Sequence, residues 1–134
     1  MASAKSFQLE VVTPERVVLS SPVTFVAFPA YDGEMGVLAN RAPLVAKLGT
    51  GIVRLEGPEG TRRLFVDGGF ARMDGSTLCL LTEEAREPEA IDTAALEREV
   101  AEARSRKITD DRSFDERQRA LARARAQRAL LGKP

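Results

Sequence analysis

Histidine and tryptophan are both absent from the 134-residue chain, and there is a single cysteine. Without histidine there can be no Ser-His-Asp triad, no Cys-His pair and no histidine-based metal site. The lone Cys79 stands in STLCLL, an apolar strand-like run, and is expected to be a buried, inert thiol. No apolar run approaches the roughly 20 residues needed to span a bilayer. The opening MASAKSFQLEVV carries one lysine and passes straight into alternation, without the apolar stretch of a signal peptide. A cytosolic or other reducing compartment is therefore expected. Net charge is also missing, with 20 basic and 20 acidic side chains. Paired carboxylates remain as catalytic material, but most acids stand in turns or on polar helix faces. The composition argues against an enzyme acting alone.

What the chain does contain is two periodicities that change over near Pro88. Before it, short segments alternate between apolar and polar residues and are separated by Gly, Pro, Asp and Asn. Phe7, Leu9 and Val11 alternate with Gln8 and Glu10; then come ERVVLS, VTFVAFP, LVAKL, TGIVRLE, TRRLFVD and STLCLL. Many short strands of this kind indicate a sandwich or barrel. Gly57-Pro58-Glu59-Gly60 and Asp74-Gly75 have hairpin-turn chemistry, the latter suited to a two-residue turn. Gly68-Gly69 inside a strand-like run suggests a bulge or a close backbone approach.

After Pro88 the period is helical. IDTAALEREVAEARSR has strong helix propensity, with Asp92 or Thr93 as cap and Leu96, Val100 and Ala103 at helical spacing. Ser113 and Glu116 are expected to form a capping box for a second helix ending near Leu131. Phe114, Leu121, Ala124 and Leu131 are its candidates to face the first helix in an antiparallel hairpin. The halves differ in charge: residues 1–90 hold 9 basic and 12 acidic side chains, and residues 91–134 hold 11 and 8. The excess is concentrated in RQRALARARAQRALLGKP, which contains five arginines, one lysine and no acid. The apolar stripes are thin and rich in alanine, so the hairpin should open at little cost. If the connecting turn also became helical, residues 92–131 would form one rod roughly 60 Å long.

The residues LEVVTPERVVLSSPVTFVAFPAYDGEMGVLANRAPLVAKLGTGIVRL resemble the N-terminal domain of the epsilon subunit of bacterial and chloroplast F-type ATP synthases. The most specific part is Asp32-Gly33-Glu34-Met35-Gly36-Val37-Leu38, followed by Ala42-Pro43-Leu44 and Gly49-Thr50-Gly51. Phe65-Val66-Asp67-Gly68-Gly69-Phe70 and Leu80-Leu81-Thr82-Glu83 continue it, and the helical hairpin matches the family's C-terminal domain. The resemblance implies a ten-stranded β-sandwich (residues 1–87) followed by a regulatory two-helix hairpin (residues 88–134), with no catalytic site. It implies a rotor subunit beside the gamma subunit and on the c-subunit ring, coupling proton flow to ATP synthesis in the alpha–beta hexamer. The complex would place it peripherally at the cytoplasmic face of the bacterial inner membrane. The family's C-terminal helices permit hydrolysis when folded down and block it when extended.

Particular residues follow from the same resemblance. Gly33, Glu34, Met35, Gly36 and Arg41 would form the loop facing the c ring, with Arg41 where the family often has histidine. Read without it, Asp32-Gly33-Glu34-Met35-Gly36 is a turn between strands. Arg119, Arg123, Arg125 and Arg128 would contact an acidic segment of the beta subunit and restrain ATP hydrolysis. Ile91-Asp92 matches the start of the family's ATP-binding motif, but Ala95 replaces the arginine that would grip phosphate. Asp92 and Glu83 are then at most the remnant of a nucleotide site, and Asp92 is most simply a helix cap. ATP binding is expected to be weak or absent, and no other cofactor is expected. Two further classes compete with this reading. A nucleic-acid module using the basic helix would want a basic sandwich and aromatics for stacking, and the sandwich is acidic. A stand-alone enzyme would want a nucleophile–base constellation.

Overall fold

The computed structural model describes residues 5–39 and 42–132. Arg41 and Lys133 lie outside the described residues. Ten strands are formed: β1 (Phe7–Val12), β2 (Val17–Val23), β3 (Phe25–Ala30), β4 (Gly33–Leu38), β5 (Leu44–Lys47), β6 (Thr50–Gly57), β7 (Gly60–Asp67), β8 (Phe70–Asp74), β9 (Thr77–Leu81) and β10 (Ala85–Arg86). A 3-10 turn at Pro88–Ala90 leads to α1 (Thr93–Ser105) and α2 (Asp111–Gly132). The expected β-sandwich followed by two helices is therefore the architecture observed.

The strands form two five-stranded sheets. The first runs β2-β1-β9-β8-β5 and the second β10-β7-β6-β3-β4. All pairings are antiparallel except β1 with β9, which run parallel. Alternation sets the inward faces. Phe7, Leu9 and Val11 from β1, and Leu78 and Leu80 from β9, meet Val26, Phe28, Val53, Leu55, Leu64 and Val66 of the second sheet in the core. The period of two that marked these strands is the geometry of a pleated face.

Turn chemistry explains the tight connections. Gly57 pairs with Gly60, leaving Pro58-Glu59 as the hairpin loop. Asp74 pairs with Thr77, so the second loop is Gly75-Ser76, one residue beyond Asp74-Gly75. Gly69 is a close approach: a Cβ there would lie 1.8 Å from the Leu81 carbonyl oxygen, and its φ is +105°.

Three further expectations are corrected. Cys79 is not in the core. Leu78 and Leu80 point inward, so Cys79 points outward, half-buried between Glu10 and Arg72 on neighbouring strands. Partial burial, then the Glu10 carboxylate, push its thiol pKa above the ordinary value, while Arg72 opposes them. A thiol held protonated is a poor nucleophile. The capping box sits three residues earlier than Ser113–Glu116. Asp110 Oδ1 accepts from the Ser113 N–H at 2.8 Å, and Ser113 Oγ accepts from the Asp110 N–H at 3.1 Å. Glu116 instead pairs with Arg112 one turn back. Finally, Leu130 rather than Leu131 is buried, and Phe114 is exposed.

Candidate functional site

The hairpin docks on the outer face of the second sheet, where α2 crosses β6 and β7. Ile52 and Phe65 are cross-strand partners on that face. Phe65 is fully covered, by a cluster made of Ile91, Leu96, Val100, Ala124 and Leu130 with Leu121 and Ala126 beside it. Alanines supply part of the α2 side, and Phe65 is the one aromatic ring in the seam. Gln127 is also buried here and donates to the Arg123 carbonyl at 3.3 Å. Arg117 Nε on α2 is shielded and has no hydrogen-bond partner among the described residues, an arrangement that costs stability.

The four arginines singled out in α2 do not share one surface. Arg123 Nε lies 3.7 Å from Asp67 Oδ2 at the end of β7. Arg128 Nη2 lies 2.6 Å from Glu97 Oε1 on α1. Arg125 lines a groove of about 510 Å³ between α2 and the β3–β4 turn, where Gly33 and Glu34 form the opposite wall. Arg119 flanks a smaller cleft with Arg106, Glu116 and Arg123. The steps between residues 119, 123, 125 and 128 carry them well round a helix of 3.6 residues per turn.

The β3–β4 region explains its own glycines. Gly33 opens β4 directly after the Tyr31-Asp32 turn, paired with Ala30, and its φ of +142° favours glycine, so Gly33–Gly36, expected as a turn, are strand. Gly36 is in a strand, where a Cβ would meet the Phe25 ring at 3.1 Å. Glu34 is exposed, and Met35 leans half-buried against the sandwich core. Asp92 Oδ1 accepts from the Ala94 and Ala95 N–H groups at 2.9 and 3.3 Å, as a helix cap does. Glu83 is exposed at the bend between β9 and β10. A cavity of about 780 Å³ bordered by Arg62, Arg63, Glu87 and Leu130 includes neither Asp92 nor Glu83.

One surface escaped the sequence reading. On the outer face of the first sheet, Val17, Val12, Leu81 and Phe70 stand in register across four adjacent strands. Val17, Leu81 and Phe70 are each about half exposed, at 56, 49 and 55%. Exposed Val45 lies on the neighbouring β5, and Lys47, in register with Phe70, sets its ammonium 4.7 Å from the Tyr31 ring centre. A contiguous apolar row on an open sheet face marks a contact surface. The signal was present in the period-two pattern of Phe70-Ala71-Arg72-Met73, which puts Phe70 opposite to the buried Ala71 and Met73.

A filled sandwich with an exposed apolar row on one sheet and a helical hairpin docked on the other is, as a class, a fold built to make protein contacts. Residues 6–88 match the family model for the ATP synthase delta/epsilon chain β-sandwich domain. The ATP synthase epsilon chain of Rhodopirellula baltica is 38% identical over 122 residues, covering 91% of this chain and 95% of that protein. That of Nitratidesulfovibrio vulgaris is 35% identical over 130 residues, covering 96% and 97%. Among solved structures, a chain of the Euglena gracilis mitochondrial ATP synthase (OSCP/F1/c-ring, rotational state 1) superposes with TM-score 0.81 at 27% identity, covering 98% of this chain and 84% of that one. A chain of the central stalk and c ring of the Tetrahymena thermophila mitochondrial ATP synthase shares the fold, with TM-score 0.71 at 8% identity. The chain belongs to the ATP synthase delta/epsilon family, among its non-catalytic epsilon chains.

Proposed function

We propose that this epsilon chain works in the rotor's central stalk, its sandwich joining the gamma subunit and the c ring and its final helix acting as a brake on ATP hydrolysis. The apolar row through Val17, Leu81 and Phe70 is the face offered to gamma. The edge strand β4, through Gly33, Glu34, Met35 and Gly36, together with Arg41, faces the c ring, and Glu34 is the exposed charge it presents. Arg119, Arg123, Arg125 and Arg128 meet carboxylates of the beta subunit, beside alpha, when α2 extends. The assembly holds the chain at the cytoplasmic face of the bacterial inner membrane. Among the described residues no helix is long and apolar enough to cross a membrane, so membrane association is indirect on this reading.

The observation that carries the brake is the thinness of the seam. The seam's buried cluster has six residues, one of them aromatic, and only two of them, Ala124 and Leu130, come from the 22-residue, arginine-rich α2. Such a helix can leave the sandwich without disturbing its core, and gains from meeting an acidic surface. Each exposed pair contributes under about 1 kcal/mol, so several must act together. Replacing Arg119, Arg123, Arg125 and Arg128 together by Ala, or truncating after Lys107, should raise hydrolysis by the assembled enzyme. Hydrolysis at the unmodified rate in both would rule the brake out. Rising salt should weaken the wild-type brake where the pairs stay solvated. The nucleic-acid alternative gains no support from the relatives or from the acidic sandwich. Asp92 as a cap and the absence of an arginine at position 95 favour weak or no ATP binding, which titration of the isolated chain would check.

A further inference from the structure

We propose that Asp67 and Glu97 form a two-point latch that keeps α2 folded down, Asp67 tying it to the sandwich and Glu97 to α1, by occupying Arg123 and Arg128, side chains that the brake requires. The inference rests on the brake reading and adds the residues that oppose it. The two acids come from separate parts of the molecule, one from the end of β7 and one from α1. Asp67 is fixed by the sandwich alone. Its N–H donates to the Glu84 carbonyl at 3.0 Å and to Thr82 Oγ1 at 3.2 Å. Its Oδ1 accepts from Thr50 Oγ1 at 2.7 Å, and Oδ2 faces Arg123. The acceptor is thus in place before the helix docks, and little entropy is lost in using it. Glu97 reaches Arg128 across the hairpin.

The arginines therefore divide into two kinds. Arg123 and Arg128 are committed within the compact state, whereas Arg119 and Arg125 form no ion pair among the described residues. A guanidinium already satisfied by its own chain gains from a partner carboxylate only the difference between the two pairs. Extension is then an exchange of partners rather than a simple gain of charge contacts. Both latch pairs are partly exposed, so each is weak and the exchange is reversible. The free Arg119 and Arg125 can meet the acidic partner first, before the committed pair is released.

The test uses two variants that break the same pairs from opposite sides. Asp67→Asn with Glu97→Gln removes the acids while keeping their shapes and an acceptor for Thr50. Arg123→Gln with Arg128→Gln removes the bases. In the isolated full chain, hydrogen exchange of the α2 amides should quicken about two- to tenfold in both, the range that two exposed pairs allow. In the assembled ATP synthase the variants should part: the acid variant frees the arginines and lowers hydrolysis, and the arginine variant raises it. Unchanged α2 exchange in both variants overturns the latch. Quickened exchange without divergence in the assembled enzyme supports the latch and removes the brake reading instead.

Discussion

Phe28 and Phe65 are both wholly enclosed, yet they sit in different settings. Phe28 belongs to a cluster of 18 buried residues contributed by nine of the ten strands and the loop residue Leu48. Phe65 belongs to a cluster of six, walled on one side by alanine-rich helix. The first cluster is closed by strands far apart in sequence, the second by one hairpin lying on a finished sheet. Equal burial of one ring therefore has unequal consequences. Removing the first leaves a hole in the body of the protein, and removing the second loosens an appendage.

Three substitutions sharpen that contrast. Phe28→Ala should have the largest effect, costing about 3–5 kcal/mol of global stability through lost burial and a cavity. Chemical denaturation should show the whole β transition moving to lower denaturant. Phe65→Ala should cost less, about 1.5–3 kcal/mol, and spend it on hairpin docking. Its β transition should match that of a fragment of residues 1–87, which we expect to fold alone; a molten fragment would mean that the sandwich needs its helices. Asp110→Ala should have the smallest effect, confined to fraying at the start of α2 and read by amide exchange there. The Ser113 N–H, then the Ser113 hydroxyl, hold the Asp110 carboxyl below its ordinary 3.8. A carboxylate lowered on folding supports the folded form fully above that ordinary value. Its contribution fades as pH falls through the lowered one. Wild-type fraying should therefore increase in that acidic window, and the Ala variant should lack that dependence.

Strands with clean alternation, such as β1 and β9, were legible because burial on one face imposes a period of two. β4 was not, because Gly33 and Gly36 give DGEMGVL the look of a turn. Its second glycine answers the Phe25 ring, a constraint that only pairing with β3 reveals. β10 is two residues long and leaves no pattern. Of the candidate site, the basic helix and the small residues at its seam could be seen. The partners of its arginines could not: Asp67 is 56 positions from Arg123, and Glu97 is 31 from Arg128. Direction was also available for Cys79, since its neighbours Leu78 and Leu80 had to point inward.

The parallel pairing of β1 with β9 also carries a timetable. The N-terminal strand lies inside its sheet, between β2 and β9, so the sheet is incomplete until residue 81 has been made. Chains grow at about 5–20 residues per second. The helical hairpin, which follows Leu81, therefore emerges only after the last long strand is available for pairing. The sandwich can close first, and the arginine-rich helix arrives after it, onto a surface where Asp67 and Phe65 already stand. A basic segment that would otherwise meet any acidic neighbour in the cell is received at once by its own chain.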